Sequence, residues 1–346
     1  MPMNPVASLA HNAEERVRAE VRTLLPHEVT DEGKLLLQHI REGRFQRSLA
    51  LIAGFSSILS GLEVTYEHYR GSYSQRVMYT PVILSPALFA ASIAGATNRK
   101  AARTVLPVVS ALAVADGLVG FAFHVRGVHR KPGGWRLPVN NIVMGPPILA
   151  PVLFAVSGYL GLIAAFLRRE DDPEVAKMPG ARDATAPRRA AWMSLLPQGI
   201  TEETRMLEHD IREGRFQKHM AAAMACAALC SGFESLYSHY ENDFQYKRLQ
   251  WSPIILTPIM AAAGFGAVKS RTVARTLLPA ASAAAILDGT VGFFFHARGI
   301  LRRPGGAKLP LYNLIYGPPA FAPLLFAASG FLGLLASLLR REEDSK

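Results

Sequence analysis

The feature that most limits this chain is a set of long stretches without charge. Ile142 to Leu167 contains no Asp, Glu, Lys or Arg, and Ser48 to Leu62 is also uncharged. A helix at the surface of a soluble protein keeps a polar stripe, and the fourth apolar block of each half of this chain has none. Runs of about 18 apolar residues or more mark candidate membrane spans. Eight such blocks occur: Ser48–Tyr69, Tyr79–Ala96, Val105–Val125 and Ile142–Phe166, then His219–Tyr240, Trp251–Val268, Leu277–Ala297 and Leu314–Leu338. Each is near the ~20 residues that cross a ~30 Å hydrocarbon core. A membrane barrel would instead show alternating segments of ~10 residues.

The blocks come as two sets of four because the chain is written twice. Ile40-Arg41-Glu42-Gly43-Arg44-Phe45-Gln46 returns as Ile211-Arg212-Glu213-Gly214-Arg215-Phe216-Gln217. Ser60-Gly61-x-Glu63-x-x-Tyr66-x-His68-Tyr69 returns as Ser231-Gly232-x-Glu234-x-x-Tyr237-x-His239-Tyr240. Asp116-Gly117-x-Val119-Gly120-Phe121-x-Phe123-His124-x-Arg126-Gly127 returns from Asp288 to Gly299. The offset of 171, rising to 172 after one inserted residue, is too long for a solenoid repeat. The expected fold is therefore an all-α integral membrane protein. Its eight transmembrane helices form two tandem four-helix repeats related by a parallel pseudo-two-fold axis. The expected divisions are a cytoplasmic tail over 1–24, a first repeat over 25–170, a cytoplasmic linker over 171–194, a second repeat over 195–342 and a tail over 343–346.

Composition supports a membrane setting: 50% of residues are hydrophobic and 19% charged, against about 25% charged in soluble proteins. The net charge is +11, and its placement explains it. With the N-terminus inside, 26 of the 38 Lys and Arg fall on the inner side and 12 in the four outer loops, as the positive-inside rule requires. The basic excess thus reads as topology, not nucleic-acid binding. The expected location is a bacterial inner membrane with both termini cytoplasmic. Met1 to Arg22 has no apolar core of a cleavable signal, so the first span is expected to act as signal anchor. Cys226 and Cys230 have no counterparts in the first half and read as packing residues.

Outside the spans, Thr30-Asp31-Glu32 and Thr201-Glu202-Glu203 read as acidic helix starts. The outer loops Arg130-Lys131-Pro132-Gly133-Gly134 and Arg302-Arg303-Pro304-Gly305-Gly306 read as structured turns. Their cations make them expected docking surfaces for anions. Pro146, Pro147 and Pro151, copied as Pro318, Pro319 and Pro323, call for a kinked or broken fourth helix. Such backbone is tolerated at membrane depth only where protein or a wet cavity covers it.

The repeated polar residues are the candidate site. Of ten histidines, only His68/His239 and His124/His296 match between halves. His68 falls near the outer end of the first span with Glu63 ~7 Å deeper, and His124 near the outer end of the third with Asp116 ~12 Å below. Ionisable residues in spans are costly and are functional candidates. The candidate set is Glu63, Tyr66, His68, Asp116, His124, Arg126 and Asn141 in the first half. In the second it is Glu234, Tyr237, His239, Asp288, His296, Arg298 and Asn313. The four histidines are the candidate metal ligands. The helices carrying them are expected to be neighbours, with Tyr66 or a water as partner of the deeper acid.

Three readings stay open. One is a polar packing network in a structural membrane subunit or scaffold without cofactor. Another is a redox subunit of a larger complex, with a bis-imidazole haem b for which Gly61 and Gly120 leave room. The third is a non-haem transition metal or an anionic or quinone-like ligand held by His, Asp and Arg; transport of a small anionic solute is a further function class. Parallel repeats and polar residues crowded toward one face weigh against transport. Glu63 and His68 are five residues apart, so a compact site shared by both is disfavoured. No catalytic motif is present, and a non-catalytic subunit is expected. The expected partners are the lipid bilayer and other membrane or periplasmic subunits.

Overall fold

The structure, a computed structural model, describes residues 27–172, 206–244 and 248–344. The tail over 1–24, the linker beyond Asp172, the helix start at Thr201-Glu202-Glu203 and the last two residues of the C-terminal tail lie outside the described residues. The first half contains α1 (His27–Arg41), α2 (Gln46–Arg70), α3 (Thr80–Thr97), α4 (Arg99–Arg103), α5 (Val105–His129), α6 (Pro138–Val143) and α7 (Ala150–Phe166). After a short helical piece over 206–212, the second half contains α8 (Gln217–Glu241), α9 (Ser252–Lys269), α10 (Arg271–Arg275), α11 (Leu277–Leu301), α12 (Pro310–Ile315) and α13 (Ala322–Leu338). The fold is all-helical, with no strand among the described residues.

Among the described residues six helices are long and apolar enough to cross a membrane: α2, α5, α8 and α11, and α3 and α9 each with the 3-10 turn that leads into it. Their outward surface is apolar. Ile83, Val108, Leu118, Ile255, Leu287 and Phe294 are exposed, an arrangement that water penalises and lipid does not. The blocks expected to run unbroken over Ile142–Phe166 and Leu314–Leu338 are divided. Residues 144–149 leave the helix, and only Ala150–Phe166 continues, for 17 residues. Ala322–Leu338 does the same. Pro146 and Pro147 supply no N–H and push the residues before them away from helical geometry. Pro151 then sits in the first turn, where its missing N–H costs nothing.

In each half four helices pack in a cycle. α2 contacts α3, α3 contacts α5, α5 contacts α7, and α7 returns to α2; α8, α9, α11 and α13 repeat the order. Small residues set the spacing: a Cβ on Gly117 would stand 2.5 Å from the carbonyl oxygen of Pro151, so α5 and α7 touch by backbone. The cycle corrects one expectation. α2 and α5, which carry the histidines, are not neighbours but stand diagonally, with α3 and α7 between them. The halves meet where α7 faces α8 and α13 faces α2. Leu49, Leu88, Leu106 and Phe154 are buried in one half, and Met220, Met260, Leu278 and Phe326 in the other, within a single continuous core.

The molecule has two distinguishable ends. At one, here the turn end, the Arg-Glu-Gly-Arg-Phe segments meet. A Cβ on Gly43 would fall 2.6 Å from the Arg212 carbonyl, and one on Gly214 2.6 Å from that of Arg41. Both glycines have positive φ, +67° and +71°, which other residues adopt only with strain. Phe45 and Phe216 stack beside them, centroids 6.3 Å apart. The other, the loop end, carries the Pro-Gly-Gly loops.

Candidate functional site

The seven residues singled out in each half all lie toward the loop end, and the structure divides them into three groups. The first faces the opposite half. Glu63 Oε2 accepts from the Phe321 N–H, 3.1 Å away, and Glu234 Oε1 accepts from the Leu149 N–H at 2.7 Å. Phe321 and Leu149 are the N-cap residues of α13 and α7. Each glutamate therefore caps the fourth helix of the other half, where free N–H groups and the positive end of the helix dipole favour a carboxylate. The capped helices are those that the prolines cut short, so the break creates the amides that the glutamates satisfy. Tyr237 Oη donates to Glu234 Oε2 at 2.5 Å. Tyr66 lies beside Glu63, but its buried hydroxyl and Glu63 Oε1 miss hydrogen-bond geometry.

The second group lies within each half. His68 Nδ1 donates to the Met78 carbonyl at 2.7 Å, and His124 Nδ1 to the Pro147 carbonyl at 2.5 Å. His239 and His296 repeat this with Gln250 and Pro319, at 3.0 and 2.6 Å. Assigning the proton to Nδ1 follows from the acceptor being a carbonyl. Within each half the two imidazoles are near enough for their charges to interact, as are Asp116 and His68. The partner of Asp116 is Thr80, whose Oγ1 donates at 2.5 Å; Ser252 stands beside Asp288 in the second half, its hydroxyl donating to the Leu249 carbonyl at 2.8 Å. This corrects the expectation of Tyr66 as side-chain partner of the deeper acid. Thr80 and Ser252 open α3 and α9, and neither belonged to the candidate set.

The third group serves the loops. Asn141 is buried and donates both amide hydrogens, to the Pro132 and Gly134 carbonyls at 3.0 and 2.8 Å. Asn313 does the same to Pro304 and Gly306. Arg126 and Arg298 are exposed and form no ion pair with a described residue.

What these groups can do chemically follows from what is already engaged. Among the described residues no three His, Cys, Asp or Glu side chains converge as a metal site. The space beside Gly61 holds the Ser85 hydroxyl, and that beside Gly120 holds the Pro151 ring. The room expected there for a porphyrin is occupied by packing partners.

One functional cluster escaped the sequence reading. Arg168-Arg169-Glu170-Asp171-Asp172 and Arg340-Arg341-Glu342-Glu343-Asp344 close the turn end. Glu170 accepts from the N–H groups of Arg47 and Ser48, capping α2, and Glu342 accepts from Lys218 and His219, capping α8. Arg169 donates to the Ala96 carbonyl and Arg341 to those of Ala267 and Val268, holding the ends of α3 and α9. Burial opposes the charge on Glu342, but the His219 hydrogen bond and main-chain N–H groups outweigh it and hold its carboxyl below the ordinary range. The signal was the second Arg-Arg-Glu, which follows the fourth block in both halves.

Comparison with protein-family models, with curated proteins and with solved structures finds no match for this chain.

Proposed function

We propose that this chain is an integral protein of a bacterial inner membrane, a non-catalytic subunit that serves as a structural platform for other membrane or periplasmic subunits. Its eight helices cross as two parallel four-helix bundles about a pseudo-two-fold axis along the membrane normal. The loop end faces outward and both termini are cytoplasmic. The observation that carries this reading is the reciprocal capping by Glu63 and Glu234. It spends one repeated acid of each half on joining the halves, and it requires the halves to run the same way. α7 and α13 span about 26 Å at 1.5 Å per residue, and the non-helical residues before them make up the remaining depth. The outward loop end follows from the charge bias. The cavity between the halves, lined by Ile52, Ser157, Ala227 and Ser329 among others, measures about 30 Å³, room for one water, and lends transport no support.

Cysteine labelling tests this reading. With Cys226 and Cys230 replaced by Ala, an impermeant thiol reagent added to intact cells should label Trp135→Cys and Ala307→Cys but not Lys100→Cys or Thr272→Cys. Labelling of one loop-end and one turn-end position would reject parallel halves.

A second reading has its own support. All four imidazoles are held alike, by Nδ1 on a main-chain carbonyl, with Nε2 making no hydrogen bond to a described residue. That tether is the usual orienting contact of a metal-binding histidine. The occupied space at Gly61 and Gly120 favours a bare transition-metal ion over haem. Metal analysis and an optical spectrum of the purified protein, before and after dithionite, separate the two readings: stoichiometric metal lost in His68→Ala with His239→Ala supports the second, and its absence supports the platform.

A further inference from the structure

At the loop end the two halves differ at a pair of matched positions at α6 and α12, Asn140 and Met144 against Tyr312 and Tyr316. Between α6 and the end of α8 lies an open groove of about 470 Å³, lined by Arg136, Val139, Asn140, Val143, Met144 and Tyr240, with the Leu137 and Pro138 side chains at its edge. In the other half Tyr312 and Tyr316 stand where Asn140 and Met144 do, and their rings lie against each other with centroids 4.9 Å apart. The change of residue puts two phenols in the second half where the groove of the first half has an amide and a thioether.

The chemistry of the groove is that of a membrane interface. Leu137, Val139, Met144 and Tyr240 are large, apolar or amphipathic, and exposed. Arg136 is exposed and forms no ion pair with a described residue. From Arg126 to Gly145 the chain contains four Lys or Arg and no Asp or Glu. A polar protein partner would leave the apolar floor uncovered, and a neutral lipid would leave the cations unmatched. An anionic lipid satisfies both, since basic residues at a bilayer surface attract anionic headgroups and apolar side chains cover acyl chains.

We propose that this groove seats one anionic phospholipid, with its phosphate on the Arg136 guanidinium and an acyl chain along Val139, Val143 and Met144 against Tyr240. The proposal rests on the membrane reading above and is independent of whether the histidines bind metal. The site bridges the halves, because α6 belongs to one and Tyr240 to the other.

The test is native mass spectrometry of the full chain in detergent, exchanged with phosphatidylglycerol, with phosphatidylcholine, or with inorganic phosphate. The expected result is one retained phosphatidylglycerol per chain, weaker retention of phosphatidylcholine, and none of free phosphate. Arg136→Gln should lower phosphatidylglycerol retention about fivefold, from ~1 kcal/mol per basic residue at an anionic surface. Asn140→Tyr with Met144→Tyr, which copies the second half, should abolish it. Tyr312→Asn with Tyr316→Met should create a second site, a gain that misfolding cannot imitate. Equal retention of both lipids, or unchanged retention in the Asn140→Tyr, Met144→Tyr protein, would overturn the proposal. These outcomes do not depend on labelling at Trp135 or Lys100, so the two tests fail separately.

Discussion

The turn end and the loop end use the same device for opposite purposes. At the turn end a glutamate caps the first helix of its own half: Glu170 on α2, Glu342 on α8. At the loop end a glutamate caps the fourth helix of the other half: Glu63 on α13, Glu234 on α7. The turn-end caps close each half on itself, although the halves also touch there through Gly43, Gly214 and the Phe45–Phe216 stack; the loop-end caps act only between the halves. The difference has a local cause. The turn-end glutamates follow the fourth helix directly and reach only the neighbour in their own cycle. The loop-end glutamates sit within α2 and α8, on the side that faces α13 and α7, and the proline breaks leave amides there to receive them. Carboxylate position along the helix, not chemistry, decides whether a cap is internal or shared.

The largest effect should come from removing the shared caps. Glu63→Ala with Glu234→Ala strands main-chain N–H groups away from water, at about 2 kcal/mol for each cap lost. Thermal unfolding of the detergent-purified protein should shift downward by more than for Glu170→Ala with Glu342→Ala, whose amides lie nearer water. An equal shift for the two pairs would erase the contrast between the ends.

Next is the backbone contact at the turn end. Gly43→Ala adds a Cβ against the Arg212 carbonyl and also strains a positive φ, which should cost about 2 kcal/mol. Gly33→Ala, at a helical position with nothing within 4 Å, should be neutral or slightly stabilising by the same melt. If Gly43→Ala melts like the parent protein, the halves do not meet there as described.

A smaller effect sharpens the internal cap. The Glu342 carboxyl is held below its ordinary pKa when folded, so the folded state binds its proton less readily than the unfolded chain. Its contribution is complete above the unfolded value near 4.5 and is lost as pH falls through the lower folded value. Glu342→Gln should therefore lower the melting temperature at pH 7 by the equivalent of about 1 kcal/mol. The gap from the parent should narrow as the pH falls below about 4. A gap that stays constant with pH would show that the charge is immaterial.

The smallest effect is at the surface. Arg99 pairs with Asp171 and Asp172 at 2.9 and 2.5 Å, but Arg99 and Asp171 are about half exposed, and Arg99→Ala should change stability by less than about 1 kcal/mol. A larger loss would mean that this pair, rather than Glu170, closes the first half.

What was legible in the sequence was whatever a local pattern encodes. The apolar blocks at Ser48 and Val105 became α2 and α5, because hydrophobic length alone specifies such helices. The prolines at 146 and 147 announced the break before α7, since the missing N–H acts on its own residues. The Pro-Gly-Gly loop was legible as a turn, but its anchor, the Asn141 amide, was read as a site residue because a buried Asn looks the same in either role. Partners far along the chain were not legible. Nothing at Glu63 points to Phe321, because that contact depends on how two cycles of helices dock. Thr80 was missed because a hydroxyl at a helix start is an ordinary helix residue until an aspartate is brought to it. The roles of Glu170 and Arg169 were not legible, since charges after an apolar block read as its solvated end.

The shared caps are tested most directly by cutting the chain between the halves. A site for a specific protease inserted at Pro179, with an affinity tag on one half, allows the purified protein to be cleaved in detergent and the tagged half recovered. With Glu63 and Glu234 intact the untagged half should remain bound, and it should remain bound in Glu170→Ala with Glu342→Ala. In Glu63→Ala with Glu234→Ala it should be released. Release from the unsubstituted protein, or retention in all three, would contradict the claim that these two glutamates hold the halves together.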